Sequence, residues 1–271
     1  DARPRGRDVK RALASAINAR PHELGGALAA FATAFAMFSA YAILRPIRET
    51  MGITSGLQTL PALFWGTFAG MLLVQPVYGW LTSRYRRSAF LPWVYLFFVL
   101  NIVGFYAWFN LQEDHTWIAR AYFIWVSVFV LFVVAVFWSL MADVFSREQA
   151  GRLFGFVAAG LSTGGLFGPF LGARLAQPIG TINLLLVSAA LLTVSLGCMM
   201  LVLRWHRRHG ENTAPGEDRD AQLGGTALAA FRQVARSPYL ALIALFVFLL
   251  TWVSTFLYLE QQAMVADAFS D

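Results

Sequence analysis

Two arginines and a glutamate stand close together near the end of the first long apolar stretch of the sequence. In the segment YAILRPIRETMGIT, Arg48 is three residues and Glu49 four residues after Arg45, so on a helix the three share one face. A charge beside hydrocarbon is costly and usually pairs or meets a ligand, and guanidinium groups suit phosphate or carboxylate. Two interpretations remain open. Either Arg45 pairs with Glu49 while Arg48 reaches water, or the arginines form an anion site.

The elements that must position these residues are helices that cross a membrane. Of the 271 residues, 58% are hydrophobic and 13% are charged, against about 25% charged in ordinary soluble proteins. Seven stretches without Asp, Glu, Lys or Arg have the roughly 20 residues that a spanning helix needs. They cover approximately 24–44, 59–82, 88–112, 121–142, 153–173, 181–203 and 237–259. We therefore predict an all-α integral membrane protein.

The basic residues lie mostly on one side of these predicted helices. With a cytoplasmic N-terminus, the outer segments hold only four of the 21 Lys and Arg residues, namely Arg45, Arg48, Arg120 and Arg174. This asymmetry follows the positive-inside rule and predicts a multi-pass protein of the bacterial inner membrane with its N-terminus in the cytoplasm. The net charge of +6 then reflects topology. Because the arginines are scattered at helix ends, no nucleic-acid partner is expected.

The spacing of the runs predicts one six-helix bundle and the start of a second. A basic cytoplasmic N-terminus, 1–23, precedes the six runs of 24–204, and a cytoplasmic linker, 205–236, leads to a further helix in 237–271. Two six-helix halves are a common layout of secondary transporters. The chain begins without Met, so we expect part of a longer, twelve-helix protein whose remaining half is a partner of this one. A complete seven-helix protein is the alternative.

A glycine-striped run follows a short charged connector after the fourth predicted helix. Glycines recur there every four residues, and a proline follows one of them. Such glycines form a smooth ridge that lets a neighbouring backbone approach closely, whereas a proline inside a helix removes a donor and bends it. We predict a helix-packing motif of Gly155, Gly160, Gly164, Gly168, Pro169 and Gly172.

A short basic loop, GWLTSRYRRS, resembles the loop signature of the major facilitator superfamily. Gly79, Leu81, Arg84 and Arg87 match that signature, whereas Ser83 stands where the family usually has aspartate. In the family this loop is a cytoplasmic latch that breaks on switching, so the resemblance implies a latch here, with Asp143 as a candidate acid. The predicted latch residues are Gly79, Arg84, Arg87, Asp143, Arg147 and Arg152. The alternative is a loop of arginines that only anchor the membrane edge.

The glycine-striped run carries the same resemblance. Gly155, Gly164, Gly168-Pro169 and Gly172 fit the spacing of the superfamily's antiporter motif, although Ala173 replaces a final glycine. The resemblance implies the N-terminal half of a major facilitator-type transporter that works by alternating access, with exchange as the suggested mode.

A narrower resemblance involves two segments. Residues 43–50, ILRPIRET, look like the first helix of the ATP:ADP translocases, the nucleotide antiporters of plastids and intracellular bacteria, and 138–154 is similar to their connector between helices four and five. Pro46 and Ile47 depart from the usual residues there. In that family the basic residue that corresponds to Arg48 is required for nucleotide transport. The resemblance therefore implies that Arg48 contacts a polyphosphate.

The predicted function follows from these residues together with Gln75, a polar residue within the second run. The expected substrate-binding residues are Arg45, Arg48, Glu49 and Gln75. The first six runs hold no Asp or Glu away from their ends, which favours exchange of an organic anion such as a nucleotide over proton coupling. A proton-coupled exporter of drugs or metabolites and a non-transporting membrane receptor or assembly factor are the alternatives. No enzyme motif or metal-spaced His/Cys set is visible, so no catalysis, cofactor or metal is expected; membrane lipid and an anionic small molecule are the expected partners.

Overall fold

The part of the chain that the computed structural model describes, residues 14, 17–84, 87–112, 114–209 and 236–268, is helical and contains no strand. The seven long helices are α1 Leu24–Thr54, α2 Leu60–Arg84, α3 Arg87–Leu111, α4 Thr116–Val144, α5 Arg147–Ile179, α6 Leu184–His209 and α7 Pro238–Ala268. A short 3-10 turn, Leu57–Thr59, precedes α2. All seven are long and apolar enough to cross a membrane. The predicted all-α, multi-pass membrane architecture is confirmed.

The first helix continues well past its predicted apolar run. It ends at Thr54 rather than near residue 44, with Pro46 inside it. The hydroxyl of Thr50 donates to the Pro46 carbonyl across 3.1 Å. The charged residues Arg45, Arg48 and Glu49, which ended the apolar run, therefore lie on two to three further turns of the same helix.

α1 is the central helix among the first six. It packs most extensively against α5 and α6 and also against α4, while α3 packs on α6 and α2 packs on α4. Two buried serines of α6 tie it to the α1 backbone: Ser188 donates to the Ala40 carbonyl and Ser195 to the Thr33 carbonyl, each across 2.9 Å. Such interhelical hydrogen bonds hold helices together where hydrocarbon offers no competing partner.

Three glycines of α5 lie against the backbone of α1. A Cβ added at Gly160 would stand 2.7 Å from the Phe31 carbonyl oxygen, one at Gly168 would stand 2.7 Å from that of Ser39, and one at Gly164 would collide with that of Phe35. The numbers of the contacting residues increase in the same direction along both helices, so α1 and α5 run parallel. Backbone cannot yield as a flexible side chain can, so this contact requires glycine.

The outer members of the predicted packing motif behave differently. Gly172 is buried, but its added Cβ would meet only Ile43 Cγ1 at 3.9 Å, an ordinary contact, and Pro169 is exposed. Gly155 is exposed, and its added Cβ would meet no described atom within 4 Å. Gly155 is not part of the ridge, because nine residues before Gly164 are about two and a half turns, which places it on the opposite side of α5.

α7 belongs to a second unit of the chain. Ser237 accepts a hydrogen bond from the backbone N–H of Leu240 across 3.4 Å, and Pro238 is the first helical residue. A capping hydroxyl followed by proline is a favourable helix start. Most of the predicted N-terminal segment, 1–23, and most of the predicted linker, 205–236, lie outside the described residues.

Candidate anion-binding site

Arg48 lies between α1 and α4 with its guanidinium group over an aromatic ring. The guanidinium carbon is 4.0 Å from the centroid of the Phe123 ring, and Nε donates to the Phe123 carbonyl across 3.3 Å. Its side chain is only 14% exposed. Cation–π attraction strengthens when the cation is withdrawn from water, so α4 holds this guanidinium in place without neutralising its charge.

Glu49 is shared between the two arginines of α1. A terminal nitrogen of Arg48 donates to Glu49 Oε1 across 3.0 Å, and Arg45 Nε lies 3.8 Å from the same oxygen. The Arg45 side chain is 61% exposed. The expected Arg45–Glu49 contact is present, whereas Arg48 lies mostly out of water, because Phe123 of α4 covers the side of α1 that carries it. One carboxylate faces two guanidinium groups, which leaves one positive charge in excess.

A third arginine lies one turn before Phe123 on α4. The guanidinium carbon of Arg120 stands 5.1 Å from the ring centroid of Trp117. Its Nε atom is buried and has no hydrogen-bond partner among the described residues. From the sequence alone, Arg120 is only one of the four basic residues on the outer side. The signal that could have singled it out is its three-residue spacing from the aromatic residue that carries Arg48.

The fourth predicted substrate residue, Gln75, is not joined to this group. It is exposed on α2, and the hydrogen bonds of Arg48 go to Phe123 and Glu49.

A shallow groove lies between α1 and α4 at a point earlier in α1 than the arginines. The groove is lined by Met37, Phe38, Tyr41, Phe129, Val130, Val133 and Val134. Its lining is apolar and aromatic apart from one hydroxyl, and Gln75 takes no part in it.

The opposite end of the bundle holds a second charged group, centred on the buried Glu23. Glu23 Oε1 accepts hydrogen bonds from Arg152 across 3.0 Å and from Gln149 across 3.1 Å. Oε2 accepts from Arg152 across 3.1 Å and from the Arg20 backbone N–H across 2.8 Å. Burial raises the pKa of Glu23, but these hydrogen bonds outweigh it and hold the pKa below its ordinary value. We call Glu23, Arg152, Gln149 and Arg20 the Glu23 cluster.

The Glu23 cluster is built into the start of α5. Ser146 and Gln149 form a capping box there, in which the Ser146 hydroxyl accepts from the Gln149 N–H and the Gln149 side chain accepts from the Ser146 N–H. Glu23 is not among the site residues expected from the sequence, because it falls within the basic segment 1–23. An acid directly before the first apolar run was the available signal.

α6 reaches the same end of the bundle through a tryptophan. Trp205 Nε1 donates to the His22 carbonyl across 3.0 Å, and its ring lies so close to Gly26 that an added Cβ would stand 2.6 Å away. The start of α1 is therefore fastened to the start of α5 and to the end of α6.

The predicted latch residues occupy several helix ends. Arg84 ends α2, Arg87 begins α3 and Arg147 begins α5, while Asp143 lies in the last turn of α4 and Gly79 is exposed in α2. The side chain of Arg87 lies outside the described part. Arg152 is committed to Glu23, with Glu148 a further 3.9 Å neighbour. A latch involving Arg84, Arg87 and Asp143 stays a prediction.

Comparisons with known proteins agree with this architecture. The family model described as Major Facilitator Superfamily matches residues 12–266. The chain is 27% identical over 163 residues to ADP,ATP carrier protein 2 of Chlamydia pneumoniae. This match covers 49% of this chain and 30% of that protein. It is 23% identical over 172 residues to ADP,ATP carrier protein 2 of Chlamydia trachomatis serovar D, covering 51% and 31%.

The chain thus matches less than a third of the length of these curated relatives. No solved structure gives a match. The family match extends over nearly the whole sequence, through all seven helices. The chain belongs to the major facilitator superfamily of membrane transporters.

Proposed function

We propose that this protein exchanges organic anions, such as nucleotides, across the bacterial inner membrane as a secondary active transporter. The observation that carries the proposal is the position of Arg48, a guanidinium group withdrawn from solvent on the Phe123 ring. Its carboxylate neighbour, Glu49, is shared with a second arginine. Phosphate and carboxylate groups are the ligands that paired guanidinium groups bind best.

The charge balance of this end of the bundle favours an anion. Arg45 and Arg48 share one carboxylate partner, Glu49, and on α4 the buried Nε of Arg120 has no hydrogen-bond partner among the described residues. A buried donor without a partner costs free energy that a ligand oxygen would recover. An anion would therefore complete this site, whereas a cation would be repelled from it.

Two curated relatives are named ADP,ATP carriers, which supports a nucleotide as the anion. A nucleoside di- or triphosphate carries several phosphate oxygens, enough to engage Arg48 and Arg45 together. Exchange of one such anion for another needs no titrating acid within the membrane, and the sequence places none away from the ends of the first six runs.

Alternating access requires a bundle that moves as one body. The glycine contact between α1 and α5 and the serine hydrogen bonds between α6 and α1 support such a body, because they join these three helices closely. We infer from the distribution of arginines that the Glu23 cluster faces the cytoplasm and that Arg48 lies toward the outer side.

The test is exchange in proteoliposomes that contain the protein with its complete native chain. Vesicles loaded with ADP should take up labelled ATP, and Arg48→Gln should reduce the initial rate at least ten-fold. Arg174→Gln is the matched control, because Arg174 is an outer arginine that also lies over a ring, that of Phe170 at 5.2 Å, but is exposed.

Three results would contradict the proposal in different ways. Undiminished exchange in Arg48→Gln would remove Arg48 from the site. Uptake of cationic compounds that depends only on a pH gradient would favour a proton-coupled exporter. Movement of no solute in well-reconstituted protein would favour a receptor or assembly factor.

A further inference from the structure

One stripe of α1 is partly exposed, although its neighbours between Ala30 and Leu44 are buried. Between Ala30 and Leu44, every residue is buried except Phe31, Ala32, Phe35, Phe38 and Tyr41. Four of these five are aromatic, and they recur at spacings of four, three and three residues, which places them on one face. We call Phe31, Phe35, Phe38 and Tyr41 the aromatic stripe.

The aromatic stripe leads directly to the arginines. Arg45 follows Tyr41 by four residues and Arg48 follows by seven, so the same face continues from rings to guanidinium groups. At a rise of 1.5 Å per residue, Tyr41 lies about 6 Å along the helix axis from Arg45 and about 10 Å from Arg48. These separations suit a ligand with a ring at one end and charge at the other.

The two ends of the stripe have different neighbours. Phe31 stacks on Phe156 of α5, with ring centroids 4.8 Å apart, and Phe35 lies 5.2 Å from Phe167 of α5. Phe38 and Tyr41 contact one another at 5.3 Å. Among the described aromatic residues, no ring of another helix stacks on either of them. Both line the groove between α1 and α4.

We propose that Phe38 and Tyr41 bind the planar ring of the transported anion, while Arg45 and Arg48 bind its charged group. The ligand class is an organic anion that carries an aromatic ring, of which nucleoside phosphates are one kind. This inference rests on the proposed function and adds to it a second subsite. Stacking on aromatic side chains tolerates any base, because every base has a π-face.

The arginines argue for this occupant over purely apolar ones. A lipid chain or a helix of the remaining half would need apolar area alone, and leucine or valine would supply it as well as phenylalanine. The stripe instead consists of rings and ends at one exposed cation, Arg45, and one largely buried cation, Arg48. Apolar contact on one side and charge on the other match a single amphipathic ligand.

The experiment compares binding of ATP with binding of inorganic tripolyphosphate, which has the charge but no ring. Both are measured by thermal shift and by competition with labelled ATP, on the protein with its complete native chain. We expect the unmutated protein to bind ATP at least ten-fold more tightly. Equal affinity for the two ligands would overturn the inference without any variant having to fold, and would leave anion exchange standing.

Variants then assign the rings. Phe38→Leu and Tyr41→Leu keep apolar volume but remove the ring, and each should weaken ATP binding about ten-fold while leaving tripolyphosphate binding unchanged. Tyr41→Phe keeps the ring and should bind ATP as the unmutated protein does. Phe31→Leu is the matched control at the end of the stripe that α5 covers, and should change neither ligand.

The remaining outcomes are equally informative. Equal weakening of both ligands in Tyr41→Leu would overturn the inference, because it would show that the ring supports the bundle or its contact with the remaining half. No weakening in either leucine variant would overturn it as well. Failure of the unmutated protein to bind ATP or tripolyphosphate would instead defeat the proposed function, and this inference with it.

Discussion

The two charged ends of the bundle use the same residue types in opposite ways. At the Glu23 cluster a single buried carboxylate accepts four hydrogen bonds, two of them from one arginine. At the other end Arg45 and Arg48 share one carboxylate, and Arg120 of α4 keeps a buried nitrogen without a hydrogen-bond partner in the described chain. A charged cluster whose hydrogen bonds are satisfied stabilises a structure, whereas a buried donor without a partner costs free energy that a ligand could recover.

The largest expected effect comes from breaking the Glu23 cluster. Glu23→Gln leaves the partly buried Arg152 with only the more distant, exposed Glu148 as a counter-charge, and breaking a buried pair in this way costs about 3 kcal/mol of unfolding free energy. Glu49→Gln should cost less than about 1 kcal/mol, since Glu49 is more exposed than Glu23 and one of its two partners, Arg45, is 61% exposed. Thermal unfolding in detergent measures both.

Combined substitutions separate pair loss from general damage. The double variant Glu23→Gln, Arg152→Gln should recover part of the stability lost in Glu23→Gln, because no uncompensated charge remains. A double variant less stable than either single one would show that the two residues do not act as a pair.

A smaller loss is expected where α5 meets α1 between the two ends. Gly164→Ala places a Cβ against the Phe35 carbonyl, and overpacking of this kind costs about 2 kcal/mol. Gly155→Ala is the matched control on the opposite side of α5, where nothing described lies within 4 Å. It should be neutral or slightly stabilising, since alanine favours a helix over glycine. Equal melting temperatures for the two variants would contradict the close approach.

The two ends also show which parts of the structure can be predicted from the sequence and which cannot. The seven helices follow from uninterrupted apolar runs, because a bilayer leaves the backbone almost no other choice. The triad Arg45, Arg48 and Glu49 follows from helical spacing. Which arginine would be covered could not be predicted, because it depends on Phe123, a residue 75 positions away that arrives only when α4 packs on α1.

The same dependence on contacts between distant segments explains why the surroundings of Glu23 and Gly155 could not be predicted from the sequence. Composition assigned Glu23 to a solvated basic segment, yet Arg152, 129 residues later in the sequence, encloses it. Gly155 fitted a family spacing but falls on the wrong side of a helix whose neighbour is α1. Contacts between segments far apart in sequence decide these cases, and local pattern carries little information about them.

A moderate effect on binding, with little effect on stability, is expected at Arg120. If the arginine end is a ligand site, Arg120→Gln should weaken ATP binding about five-fold and leave the melting temperature equal or higher, because it removes a buried donor that has no hydrogen-bond partner among the described residues. Titration of ATP against the variant measures the first quantity and thermal unfolding the second. Unchanged binding together with a lower melting temperature would make Arg120 a structural residue like Arg152.

The smallest expected effect is the pH dependence of the Glu23 cluster. The pKa of Glu23 is lowered in the folded protein from an ordinary value of 4.5, so the unfolded chain binds its proton at higher pH than the folded one. The stabilisation is therefore fully present above about pH 4.5 and is lost as the pH falls through the lower folded pKa.

The measurement is the difference in unfolding free energy between the unmutated protein and Glu23→Gln, followed from pH 7 to pH 3. His22, whose Nε2 lies 4.0 Å from Glu23 Oε1, is present in both proteins, so its titration largely cancels in the difference. We expect that difference to be constant down to about pH 4.5 and to shrink below it, because protonated Glu23 resembles glutamine in charge. A difference that grows on acidification would mean that the folded protein holds the proton more tightly, and the Glu23 cluster would then not be the satisfied counterpart of the arginine site.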